Sequence, residues 1–127
     1  MNTTYLRKFL SAVIPLTALV LTMPCLAANT FPSGHFVRGK ASLSFDGDGK
    51  FSVSMGNDAA VEGGYSGTAE QVTFTDKSGK EACAEPGQES GTYHWTYAHD
   101  ALTFGKIEDR CDARAHDLTN GPWQRTK

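Results

Sequence analysis

From Val37 onward, apolar and polar residues alternate with a period of two over most of the chain. Val37, Gly39, Ala41, Leu43 and Phe45 fall on one face and Ser42 and Ser44 on the other, which predicts one half-buried strand. Asp46-Gly47-Asp48-Gly49 is a strong turn signal, because these residue types accept the backbone angles of a tight hairpin. The alternation resumes with Phe51, Val53 and Met55 inward and Ser52 and Ser54 outward, and Gly56-Asn57-Asp58 turns again. Val61, Gly63 and Tyr65 then alternate with Glu62, Gly64 and Ser66, and Val72 and Phe74 with Gln71, Thr73 and Thr75. Strands with one dry and one wet face, joined by short turns, predict an antiparallel meander.

A stretch without alternation, Lys77 to Glu89, contains Gly79, Cys83, Pro86 and Gly87 and reads as a surface loop. Two more strands follow: Tyr93, Trp95 and Tyr97 share a face, His99-Asp100 turns, and Leu102 and Phe104 answer. The period then changes. Cys111, Arg114 or Ala115, and Leu118 fall at helical spacing, with Asp109 as N-cap and Asn120-Gly121-Pro122 as the stop. This predicts a short helix of two to three turns, with Trp123-Gln124-Arg125 as a last strand or a packed tail.

The first residues set the expected compartment. Arg7 and Lys8 precede an apolar stretch from Phe9 to Met23, which exits through Pro24-Cys25-Leu26-Ala27-Ala28. A positive start, an apolar middle and a small-residue end is the layout of a signal peptide over 1–28, cleaved after Ala28 or one residue earlier. A membrane anchor would need roughly 20 strongly apolar residues, and Pro15 interrupts this stretch. Lipidation at Cys25 would call for a small residue before it, where the chain has Pro24. The expected product is one domain over 29–127, periplasmic or secreted, with no stable membrane insertion.

That remainder carries ten Lys/Arg against fourteen Asp/Glu, a net of −4 with the charges scattered, so nothing suggests a nucleic-acid partner. Two cysteines survive, Cys83 and Cys111, 28 residues apart. An even pair in an exported chain predicts a disulfide, worth roughly 3–4 kcal/mol for a loop of this length. In a domain this small, where a core alone is marginal, that is a large contribution.

Candidate chemistry centres on aromatics. Tyr65, Phe74, Tyr93, Trp95, Tyr97 and Phe104 would converge on one side of the sheet, either as the solid core of a small barrel or as the wall of an amphipathic pocket. Arg114 and Arg125 would close the bottom by stacking under Trp123 or clamp an anion. His35, His94, His99 and His116 show no metal-ligand spacing, and Asp46-Gly47-Asp48-Gly49 lacks the later acidic ligand of a calcium loop. With no nucleophile motif such as G-x-S-x-G either, no enzyme activity, metal or cofactor is expected.

Gly91-Thr92-Tyr93-His94-Trp95, Leu102-Thr103-Phe104, Asp109-Arg110-Cys111-Asp112-Ala113-Arg114 and Trp123-Gln124-Arg125 stand in an order that resembles a group of short exported bacterial lipocalin-like proteins. The resemblance covers roughly residues 60–125, and most members of the group have no assigned activity. It implies an all-β fold, a small up-and-down meander closing into a lipocalin-like barrel with one short C-terminal helix. The chain is shorter than true lipocalins and lacks their N-terminal G-x-W. An eight-stranded barrel holds one small ligand or is filled by its own side chains. The expected function is binding of a small apolar or amphipathic ligand. The alternative is a protein-binding inhibitor acting through loop 77–89, or an envelope structural protein, built on a solid core.

Overall fold

The computed structural model describes residues 30–127, so the expected signal peptide lies outside the described residues. Eight antiparallel strands form a closed barrel in chain order: β1 (Gly34–Arg38), β2 (Ala41–Phe45), β3 (Lys50–Met55), β4 (Asp58–Gly67), β5 (Gln71–Ser78), β6 (Ser90–Ala98), β7 (Ala101–Asp109) and β8 (Trp123–Arg125). The helix α1 (Asp112–Thr119) lies between β7 and β8, and β8 pairs with both β7 and β1, so the sheet has no free edge.

The expected single strand from Val37 to Phe45 is two strands. Gly39 takes φ +60° and forms, with Lys40, a two-residue hairpin, so Arg38 pairs with Ala41. Glycine at the first central position suits such a turn. The split also corrects the phase: Phe36 is fully buried, and Val37 faces out. Met55, expected inside, is 53% exposed, because it sits at the end of β3 beyond a register shift between Val53 and Ser54 that leaves Ala60 as an extra residue in β4. Tyr97 is also at a strand end and exposed, where its hydroxyl donates to Asp100 Oδ1 (3.0 Å) and accepts from Arg125 Nε (2.6 Å).

The remaining inward positions make one core: Leu43, Phe45, Phe51, Val61, Val72, Phe74, Tyr93, Trp95, Leu102 and Phe104, joined by Leu118 of α1 and Trp123 of β8. Phe74 lies at its centre, with ring centroids 5.1 Å from Phe51, 5.6 Å from Phe104 and 5.8 Å from Tyr93. The barrel ends are closed differently. The β2–β3, β4–β5 and β6–β7 turns share one end, where Phe31 packs edge-on against Phe45 (4.9 Å) and Trp95 (5.3 Å). The loop between β5 and β6 shares the opposite end with α1, and the disulfide Cys83–Cys111 (Cα–Cα 6.2 Å) ties them together there. Both cysteines are buried, which fits an oxidising compartment.

The helix starts later than expected. Asp109 is the buried last residue of β7, and Cys111 occupies the N-cap position without a side-chain cap. Asp109 is unavailable for capping because its carboxylate serves other partners.

Candidate functional site

The helix-covered end of the barrel holds a buried polar cluster. Two bulges and the helix α1 bring it together. On β5 the alternation of Val72 and Phe74 continues to Asp76, which therefore points inward before Lys77 bulges out of register. On β7 a bulge leaves Ile107 unpaired and exposed and turns Asp109 inward. Asp109 faces Gly91, where any Cβ would collide with its carboxylate. From α1, Arg114 reaches back between the two acids: Nε lies 2.7 Å from Asp109 Oδ2 and Nη1 3.1 Å from Asp76 Oδ2.

Arg114 spends all its donors here. Nε and Nη2 bond Asp109 (2.7 Å each), and Nη1 and Nη2 bond the Glu89 and Gln88 carbonyls (3.0 and 2.8 Å). With Nη1 also against Asp76, the five N–H groups of a guanidinium are committed. Arg114 is therefore neither a stacking partner of Trp123 nor a free anion clamp. It pins the loop 79–89 to the barrel. The cation over Trp123 is Arg38, 4.1 Å from the ring centroid, while Arg125 lies over Phe36 (4.9 Å) and Tyr97 (5.2 Å).

The carboxylates are held from the loop as well. The Cys83 N–H donates to Asp76 Oδ2 (2.9 Å) and the Cys111 N–H to Asp109 Oδ1 (2.8 Å), so the disulfide joins the two residues whose amides hold the acids. The Tyr93 hydroxyl donates to Asp109 Oδ2. Burial alone would lift the Asp109 carboxyl, but the bonds from Arg114, Tyr93 and Cys111 outweigh it and hold it below its ordinary value. Burial first, and then the Asp109 carboxylate, push the Tyr93 phenol well above its ordinary value. Desolvation opposes the Arg114 charge, yet its carboxylate partners keep it firmly protonated.

One atom of this cluster is left over. Asp76 Oδ1 is buried and has no hydrogen-bond partner among the described residues, a state that ordinarily costs about 1–3 kcal/mol. Asp76 lines a cavity of about 80 Å³ between α1 and the barrel wall, with Phe51, Val61, Phe74, Leu118 and Trp123 as its apolar lining. That volume exceeds the roughly 10–15 Å³ one water requires. The cavity adjoins an outer cleft of about 410 Å³ bordered by Arg38, Lys40, Glu81 and Asp117 and sharing Val53, Met55 and Trp123 with it.

The expected set of aromatics and arginines is divided among four surroundings. Phe74, Arg114 and Trp123 line the inner cavity. Tyr93, Trp95 and Phe104 are buried in the packed core, Trp95 with its Nε1 donating to the Thr68 carbonyl (3.0 Å). Tyr65 is half-buried at the Phe31 end, where its hydroxyl donates to the Asp46 carbonyl (3.0 Å). Tyr97 and Arg125 pair on the rim of that end. Asp76, Arg38 and Glu81 were not singled out by sequence. The signal for Asp76 was present, since continuing Val72–Phe74 by two places lands on it.

Among the described residues, no group of three or more His, Cys, Asp or Glu side chains is placed to hold a metal ion. A separate depression of about 540 Å³ is lined by Phe45 and Phe51 together with polar residues, among them His35 and Ser44, whose Nδ1 and Oγ are 2.7 Å apart. The chain matches no protein-family model, no curated protein and no solved structure.

Proposed function

We propose that this is an exported, lipocalin-like carrier or sensor that binds a small amphipathic molecule at the helix-covered end of the barrel. The observation that carries the reading is the inner cavity: apolar walls, one buried carboxylate oxygen without a partner, and a cleft leading out to solvent. Small-molecule sites combine these features, an apolar lining that gives affinity and a few placed polar groups that orient the guest. The inner chamber is smaller than the roughly 300–1,000 Å³ of pockets that enclose drug-sized molecules. A guest would therefore put a slender portion inside and leave the rest in the cleft.

The chain has two tryptophans, and Trp123 borders both the cavity and the cleft, so its emission reports on occupancy. Titration of the protein with 1-hexanol should change that emission saturably. Ala113 is exposed at the start of α1 and lines the cavity, so Ala113→Trp should block access without disturbing the core. Because the introduced tryptophan adds its own emission, binding to that variant is read by calorimetry and should be lost. A flat titration of the unaltered protein with 1-hexanol and equally with the six-carbon amine and acid, with no heat of binding, would overturn the reading. It would favour instead a protein partner docking on the loop that Arg114 holds rigid through Gln88 and Glu89.

A further inference from the structure

The charges around the cavity decide what kind of guest it would take, an inference that rests on the ligand-binding reading above. The buried cluster is unbalanced. Asp76 and Asp109 face a single guanidinium, and Tyr93 contributes a neutral hydroxyl, so the cluster carries one negative charge in excess. Excess charge in a dry site is costly unless something pairs it. The inner cavity adds to the imbalance, since its other charged lining residues are Glu81 and Asp117, both acidic and both exposed at its mouth. Arg38 does not line the inner cavity; it stays charged at the outer cleft, where Nη1 and Nη2 donate to the Gly121 and Asp117 carbonyls and its guanidinium covers Trp123. Lys40 borders only the outer cleft.

We propose that the cavity selects a slender aliphatic primary amine, its ammonium group paired with Asp76 and its alkyl chain lying against Phe51, Val61 and Trp123. A water molecule could donate to Asp76 Oδ1 but would leave the negative charge uncompensated. An ammonium supplies both, with three donors in a compact head. A carboxylate or phosphate head is the wrong sign, and Arg114, the only cation lining the inner cavity among the described residues, has no donor left to receive it.

The test compares 1-hexylamine, 1-hexanol and hexanoate, equal in chain length, by titration of the full exported domain at neutral pH, read by Trp123 emission and by calorimetry. The amine should bind about tenfold tighter than the alcohol, the ratio expected when a charge-assisted bond replaces a neutral one, and hexanoate should bind weakest. In Asp76→Asn the amine-to-alcohol ratio should fall several-fold. Should that variant fail to fold, the exposed pair Glu81→Gln with Asp117→Asn should lower the ratio several-fold. Equal affinities for amine and alcohol, or a preference for hexanoate, would overturn the amine assignment while leaving a ligand-binding barrel in place. Absence of binding by all three would remove the ligand-binding reading itself.

Discussion

Arg114 shows how one side chain can settle several questions that its position in the sequence leaves open. Read along the chain, it is an arginine on a short helix near Trp123, suited equally to stacking or to anion capture. In the fold it is buried, and its donors link β5, β7 and the loop before β6. The cluster has a definite pH signature. Because hydrogen bonds hold Asp109 below its ordinary value, the unfolded chain takes up protons first as acid is added. The stability it contributes is present above about pH 4 and lost as the pH falls through the folded value. Tyr93 works in the other direction. Its phenol is raised, so the unfolded chain loses the proton first. Its contribution is complete below about pH 10 and declines above it. Thermal melts should therefore show losses at both extremes, and Tyr93→Phe should shrink the alkaline loss. An alkaline limb unchanged in that variant would show that Tyr93 is not its source.

At the scale of elements, most strands were legible because each buried set repeats every second residue. Phe51–Val53, Val72–Phe74, Tyr93–Trp95 and Leu102–Phe104 all face the core as their alternation predicts. The errors of phase have a common cause, which is a single residue gained or lost in the count. Phe36 and Val37 are both apolar, so pattern alone could not choose the phase, and the Gly39-Lys40 turn that fixes it was hidden inside an apparently continuous strand. Ile107 is an extra residue that reverses the phase of Asp109, and nothing in its identity announces this. The buried acids, and with them the candidate site, were therefore the least legible part. The cysteine pair was read from compartment and parity, and the disulfide joins two short elements that need it. Loop 79–89 buries one side chain, Cys83, and α1 is only eight residues long. Replacing both cysteines by serine should lower the melting temperature by about 10 °C or more, from the loop-closure entropy and the usual 4–8 °C per kcal/mol at this size. The carboxylates would also lose the rigid placement of the amides that hold them. A melt unchanged by the substitution would mean that Arg114 alone secures the loop.

For the whole molecule, the decisive feature is the difference between its ends. One is sealed by Phe31, whose ring meets Phe45, Tyr65, Trp95 and Phe104, and the other by α1 over a cavity. Six aromatic side chains placed by sequence in one interior left open whether the barrel was filled or hollow. The structure divides the answer by end, with aromatic packing around Trp95 and free volume beneath the helix. Phe31 also links the fold to the expected processing of the chain. Cleavage after Ala28 would leave it as the third residue of the product, whereas a cut a few residues later would remove the seal. Phe31→Ala tests this arrangement directly. The ring is only half-buried, so the change should cost less than the roughly 3–5 kcal/mol of a fully buried Phe→Ala. Trp95 packs against it edge-on, and its emission should shift to the red as water reaches the vacated end. Hexanol affinity at the helix end should stay the same, because Phe31 lines neither the cavity nor its cleft. A change in that affinity would mean that guests enter past Phe31. The aromatic face around Trp95, rather than the chamber at Asp76, would then be the binding surface.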